Sequence, residues 1–203
     1  MYFYFMTTFK TRDEQDVIWF ITFTCYRWLP LIETTDLYDD IYKWFDILKS
    51  EGHSILGYVI MPNHMHMLMY FSKNKRTINT CMAEGKKFRA WEIIKRLKKQ
   101  RASHYLIQME WVPEDHKNPN KQKFMAFEPS FDCKVCKSEE RVLTKLNYIH
   151  KNPVNKGYHL APSMTAYKHS SAKYYHTGIH SAYPVEHYKR FIRPFNCNID
   201  APQ

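Results

Sequence analysis

Glycine is scarce in this chain: its 203 residues include only 5, at Gly52, Gly57, Gly85, Gly157 and Gly178. No two stand close enough to build a phosphate cradle or a dinucleotide fingerprint, which excludes nucleotide-binding loops of those kinds. Long apolar runs are missing too, and no window approaches the roughly 18 apolar residues that a membrane span requires. Met1 to Phe9 has neither the basic start nor the full-length apolar stretch of a signal peptide. The 5 cysteines are an odd number, scattered as Cys25, Cys81, Cys133, Cys136 and Cys197, and do not make a disulfide framework. These absences lead to the expectation of a soluble, cytoplasmic protein with no membrane partner. Acidic residues are in the minority as well, with 20 Asp plus Glu against 30 Lys plus Arg and a formal net charge of +10.

What is present suits a globular chain: 44% apolar and 25% charged residues. At about 150 residues per domain this length predicts a single domain spanning 1–203, with a core over about 15–158 and a wrapping tail over about 159–203. The basic excess attracts polyanions, and the 16% of aromatic residues offer stacking surfaces for unpaired bases. Nucleic acid is therefore the leading partner on composition, against the plainer reading that charge keeps the chain soluble and aromatics fill the core.

The run from Val17 to Tyr26 is rich in β-branched and aromatic residues and predicts a buried first strand. Thr34 and Thr35 can cap a helix in which Leu37, Ile41, Trp44, Phe45 and Leu48 recur at helical spacing until Gly52. Ile55 to Met61 and His64 to Phe71 read as strands joined by the Met61-Pro62-Asn63 turn. A second helix is expected over about Asn79 to Gln100, with Cys81, Phe88, Trp91, Ile94 and Leu97 inward and a basic outer face. Arg101 to Lys123 reads as an inserted loop with a short strand at Tyr105 to Trp111, and Lys123 to Cys136 as extended chain. Ser138-Glu139-Glu140 opens a third helix, which Pro153 should stop near Asn152. The order strand, helix, strand, strand, helix, strand, helix predicts an α+β fold. Its plan would be a ferredoxin-like, split βαβ antiparallel sheet with helices on one face plus a C-terminal helix.

His64 and His66 sit at i and i+2 of the third strand, so both imidazoles point to one face while Met65, Met67 and Met69 point to the other. Such a pair suits a divalent cation, although a His-x-His in a His-rich chain is also an ordinary coincidence. On the third helix, Arg141, Lys145, Tyr148 and Asn152 form a polar stripe beside the apolar Val142, Leu146 and Ile149. A tyrosine among cations can be a nucleophile, or it can simply lie at the edge of the core.

Together, Tyr58-Val59-Ile60-Met61-Pro62-Asn63-His64-Met65-His66 and Tyr148-Ile149-His150-Lys151-Asn152-Pro153-Val154 resemble the REP-associated tyrosine transposases. These are relatives of the insertion-sequence-200-like transposases and are HUH single-strand nucleases with one catalytic tyrosine. The resemblance runs from Val17 to about Tyr175 and includes Ser170-Ser171-Ala172. It implies that His64, His66 and Asn152 hold Mg²⁺ or Mn²⁺, and that Tyr148 attacks a phosphate of hairpin-bearing single-stranded DNA to leave a 5′-phosphotyrosine. Lys86, Lys87 and Arg89 are the candidate DNA contacts on the second helix, with Lys145 and Lys156 nearer the cut. Both a monomer and a homodimer fit the resemblance. Phe127-Glu128-Pro129 stands where the family often has Trp-Gln, and Tyr167 where it often has Trp. One rival is a regulator on the same fold that binds hairpin DNA without cutting. Another is a zinc protein using Cys133 and Cys136 with the two histidines, whose spacing is far longer than zinc motifs use.

Overall fold

One apolar run serves two cores. In β1 (Val17–Thr24), Trp19, Ile21 and Phe23 join one buried cluster, while Ile18 and Phe20 join another on the opposite face. A strand covered on both faces needs apolar residues at nearly every position, so no polar alternation is left to see. The computed structural model describes residues 14–73, 76–110, 123–129, 132–155 and 157–192. Strands β2 (Ser54–Ile60), β3 (His64–Phe71) and β4 (Asp132–Cys136) join β1 in a four-stranded sheet of order β2-β3-β1-β4. All its pairings are antiparallel. With helical crossovers from β1 to β2 and from β3 to β4, this is the split βαβ plan read from the sequence.

Helices α1 (Leu31–Thr34) and α2 (Tyr38–Ser50) form the first crossover, and α3 (Ile78–Lys99) with α4 (Ser103–Gln108) the second. Residues Trp44 and Phe45 of α2 and Met82 and Ile93 of α3 share the cluster of Trp19, Ile21 and Phe23. Helix α5 (Glu139–Lys151) lies on the other face, where Val142, Leu146 and Ile149 meet Ile18, Phe20, Leu56 and Leu68. The tail carries the short α6 (Ala172–Thr177) and returns to the edge of β2. There Ile60 N–H donates to the His169 carbonyl at 2.9 Å, and Ser171 N–H to the Tyr58 carbonyl at 3.0 Å.

Several element boundaries differ from the sequence reading, each for a local reason. Strand β1 ends at Thr24 because Tyr26–Trp28 forms a 3-10 turn with Arg27 and Trp28 at φ 52° and 57°. Helix α2 starts at Tyr38, not after Thr35: the Thr35 hydroxyl donates to the Leu31 carbonyl, and Asp36 breaks the chain at φ 47°. In α3, Cys81 and Leu97 face inward as expected, but Phe88 and Trp91 are exposed. The buried stripe instead follows Ile78, Met82, Gly85, Arg89, Ile93 and Leu97, because the Trp44 indole lies against Gly85. The short strand expected at 105–111 is replaced over Ser103–Gln108 by α4, whose Tyr105 and Leu106 pack on the core, and Trp111 lies outside the described residues. Asn152 keeps helical φ −53°, ψ −47° despite the following Pro153, because the chain tightens into the 3-10 turn Asn152–Val154 with proline in its first turn.

Candidate active site

Three elements supply the site. Strand β3 turns His64 and His66 toward α5, with ring centroids 4.9 Å apart and both residues buried. Helix α5 brings the Tyr148 ring edge-on to His66 at 5.0 Å, and the Asn152 side chain hydrogen-bonds His64. From β1, Phe20 packs against both His66 at 5.5 Å and Tyr148 at 6.0 Å. Lys145 Nζ stands 4.4 Å over the Phe20 ring and 5.8 Å from that of Tyr148. The structure thus gathers His64, His66, Tyr148, Asn152 and Lys145 in one place, and Tyr148 is 47% exposed there.

Each imidazole is held through Nδ1. Asn63 Oδ1 lies 2.7 Å from His64 Nδ1, and Thr22 Oγ1 2.8 Å from His66 Nδ1. Such partners fix ring orientation and leave Nε2 as the ligand atom. His66 Nε2 is buried with no hydrogen-bond partner, an arrangement that costs about 1–3 kcal/mol unless something satisfies it. Burial lowers His64 to about 4, with the Asn152 hydrogen bond opposing. It lowers His66 to about 3, aided by His64 and Lys145. Both rings are neutral at pH 7, with lone pairs to offer, and with the Asn152 amide they make a donor set that fits a divalent cation.

A strained loop borders the site. Trp28 is 57% exposed and meets His64 edge-on at 5.5 Å. Consecutive non-glycine residues at positive φ are costly and persist only where their surroundings hold them. Here the Arg27 N–H donates to the Glu128 carboxylate at 2.9 Å, and Asn63 Nδ2 donates to the Trp28 carbonyl at 3.2 Å. Asn63 therefore touches both the exposed indole's backbone and the His64 ring. The sequence reading leaves out Thr22, although a threonine inside the apolar β1 run is a signal, and takes Asn63 as a turn residue of the motif without its contacts to His64 and Trp28. His150 was also passed over: it is buried, its Nε2 lies 2.9 Å from Ser171 Oγ, and Ser171 Oγ accepts from the Tyr58 N–H at 3.0 Å. That chain of contacts fastens α5 to β2 and the tail.

Two of the basic residues expected to contact DNA are turned inward instead. Lys86 donates to the Glu128 and Pro129 carbonyls with its ammonium over the Phe23 ring, and burial lowers it to about 8. Arg89 is buried and paired with Asp40. Lys87 is exposed over Trp91, on the helix layer across the sheet from Tyr148. Lys156 lies outside the described residues. The proposed zinc ligands Cys133 and Cys136 fall into clusters on opposite faces of the sheet, as their three-residue spacing on a strand requires, so they do not converge with the histidines.

No family model and no curated protein matches this sequence. Among solved structures, the chain is similar to a REP-associated tyrosine transposase bound to a REP hairpin. The TM-score is 0.53 at 17% identity, over 88% of this chain and 89% of that one. A protein of Deinococcus radiodurans R1 provisionally assigned as a transposase aligns at TM-score 0.40 and 18% identity, over 66% of this chain and 89% of that one. At 17% identity the first likeness establishes a shared fold: the four-stranded antiparallel α+β architecture described above. No helix among the described residues is long and apolar enough to cross a membrane.

Proposed function

We propose that the chain is a metal-dependent, single-tyrosine DNA nuclease and strand transferase of the transposase kind, acting on single-stranded DNA that carries a hairpin. The observation that carries this reading is the bare, buried Nε2 of His66 set beside a half-exposed tyrosine. Its support is the motif pair in the sequence and the fold shared with a transposase solved on a REP hairpin.

His64, His66 and Asn152 would hold Mg²⁺ or Mn²⁺. Bound there, the ion supplies polarisation of the scissile phosphate. Phe20 packs against both His66 and Tyr148, which keeps the phenol from sliding away from the histidines. The Tyr148 oxygen forms a bond to phosphorus as the bond to the 3′ oxygen breaks. The phenol loses its proton and the departing oxygen gains one, leaving a 5′-phosphotyrosine and a free 3′-hydroxyl that can attack in reverse and reseal the strand. Lys145, above Phe20 and near Tyr148, opposes the negative charge that gathers on the phosphate. Trp28 offers a flat, exposed face for an unpaired base next to the site.

The test is a denaturing gel of labelled hairpin-bearing single-stranded DNA incubated with protein and Mn²⁺ or Mg²⁺. A covalent protein–DNA band is expected for the wild type, absent in Tyr148→Phe and after chelation. Salt-dependent binding with no adduct across a broad hairpin set would replace this reading with the non-cleaving regulator.

A further inference from the structure

A second imidazole repeats the arrangement of His66. His53 is 2% exposed and its ring stacks on Phe71 at 4.2 Å. A hydroxyl again faces Nδ1, that of Ser72 at 3.3 Å, and Nε2 again is buried with no hydrogen-bond partner. The bare nitrogen is 4.0 Å from Glu51 Oε2. Cys81 Sγ, in the first turn of α3, is 4.0 Å from the same oxygen, and the three ligand atoms all lie within 4.8 Å of one another. Glu51 and His53 flank Gly52, whose φ of 90° lets the turn after α2 present both side chains to one point.

We propose that Glu51, His53 and Cys81 form a second metal site, taking a borderline-soft divalent cation of the zinc class and separate from the histidine pair beside Tyr148. The donor set is the reason: imidazole, thiolate and carboxylate together suit zinc, whereas the site at His64 contains no sulfur. With zinc–ligand bonds of about 2.0–2.3 Å, tetrahedral ligand atoms stand about 3.3–3.7 Å apart, so a contraction of roughly 0.5–1.3 Å closes the site. Access is by a groove of about 420 Å³ between α2 and α3, whose lining includes Glu51, Cys81, Arg76 and Glu84. A water from that groove, or Glu84 one turn beyond Cys81, supplies the fourth ligand.

Arg76 both positions and competes. Its guanidinium donates to Glu51 Oε1 and to Glu84 Oε2, which holds Glu51 with its other oxygen toward the sulfur and the imidazole. Two carboxylates against one guanidinium leave the cluster negative, so an incoming dication that displaces the Cys81 proton makes it neutral. Burial pushes the Cys81 thiol up to about 11, and binding therefore strengthens as pH rises. His53 packs on Phe71, the last residue of β3, whereas His64 is its first. The ion would fasten the α2–β2 turn to α3, away from the chemistry at Tyr148.

The test titrates metal-free full-length chain with Co²⁺ and follows thiolate-to-cobalt charge transfer in the near ultraviolet, a band that a sulfur-free site cannot give. One equivalent should saturate it and Zn²⁺ should displace it. The band should persist in His64→Ala/His66→Ala and in Cys133→Ser/Cys136→Ser, vanish in Cys81→Ser, and need at least tenfold more Co²⁺ in His53→Gln. Absence of the band in wild type, or its survival in Cys81→Ser, overturns the proposal. If Cys81→Ser does not fold, His53→Gln decides, and unchanged affinity there overturns it. Because the histidine-pair variant keeps the band, failure here is distinct from failure of the nuclease reading.

Discussion

Trp28 and Lys145 border the same site but should fail in different ways when removed. Stacking of an unpaired base on an exposed indole is worth about 1–3 kcal/mol and is insensitive to salt, so Trp28→Ala should weaken binding of single-stranded DNA by that amount at every ionic strength. Lys145→Ala should lower the slope of log affinity against log salt by about 1. Filter binding or anisotropy between low and moderate salt separates the two, and equal salt slopes in wild type and Lys145→Ala would remove Lys145 from the phosphate path. At this scale the legible residues were those whose partners lie within one element: His64 and His66 on one strand face, Tyr148 and Asn152 one turn apart on a helix. Thr22 escaped notice because its role depends on strand register, and Asn63 was legible as a turn residue but not in its reach to Trp28, a loop 35 residues away that local spacing does not encode. Lys86 and Arg89 misled for the same reason: a basic helix face looks solvated until Asp40 and the Glu128 carbonyl arrive from elsewhere.

Among elements, the contact between α2 and α3 is the least forgiving. A Cβ added at Gly85 would stand 2.5 Å from the Trp44 ring, a rigid buried indole that must shift as a whole because it has no flexible tip to swing aside. Alanine in a helix interior gains about 1 kcal/mol over glycine, whereas overpacking costs about 1–3 kcal/mol, and the rigid partner puts this site at the upper end. Gly85→Ala should therefore lower the thermal midpoint despite its better propensity, and calorimetry showing a rise would mean that the helices separate freely. Strand and helix order was readable because β1 is a continuous run of β-branched and aromatic residues and apolar periodicity persists along α2 and α5. The helix start at Tyr38, the exposure of Trp91 and the helical turn at Ser103–Gln108 were not, since each is set by a neighbouring element or by a side chain folding back on its own backbone.

For the molecule as a whole, buried neutral histidines make stability depend on pH. Burial lowers both His150 and His169 from 6.5 to about 4, with His176 contributing at the first and Lys168 at the second. The unfolded chain then binds more protons than the folded one between those values, so stability falls as pH drops from about 6.5 to about 4 and is fully present above that window. His64 and His66 act in the same direction in the metal-free protein. For the well-buried His150 the loss is at most about 3 kcal/mol. Urea midpoints of metal-free protein should be lower at pH 5 than at pH 7.5, and identical midpoints would show that these rings protonate without cost. The contact between residues 169–171 and β2 has a further consequence, one of timing. All four strands are complete once Cys136 is made, but the segment that covers the edge of β2 comes some 35 residues later. At about 5–20 residues per second, a nascent sheet would wait about 2–7 s with that edge open, the interval in which neighbouring chains on one messenger are most able to pair with it.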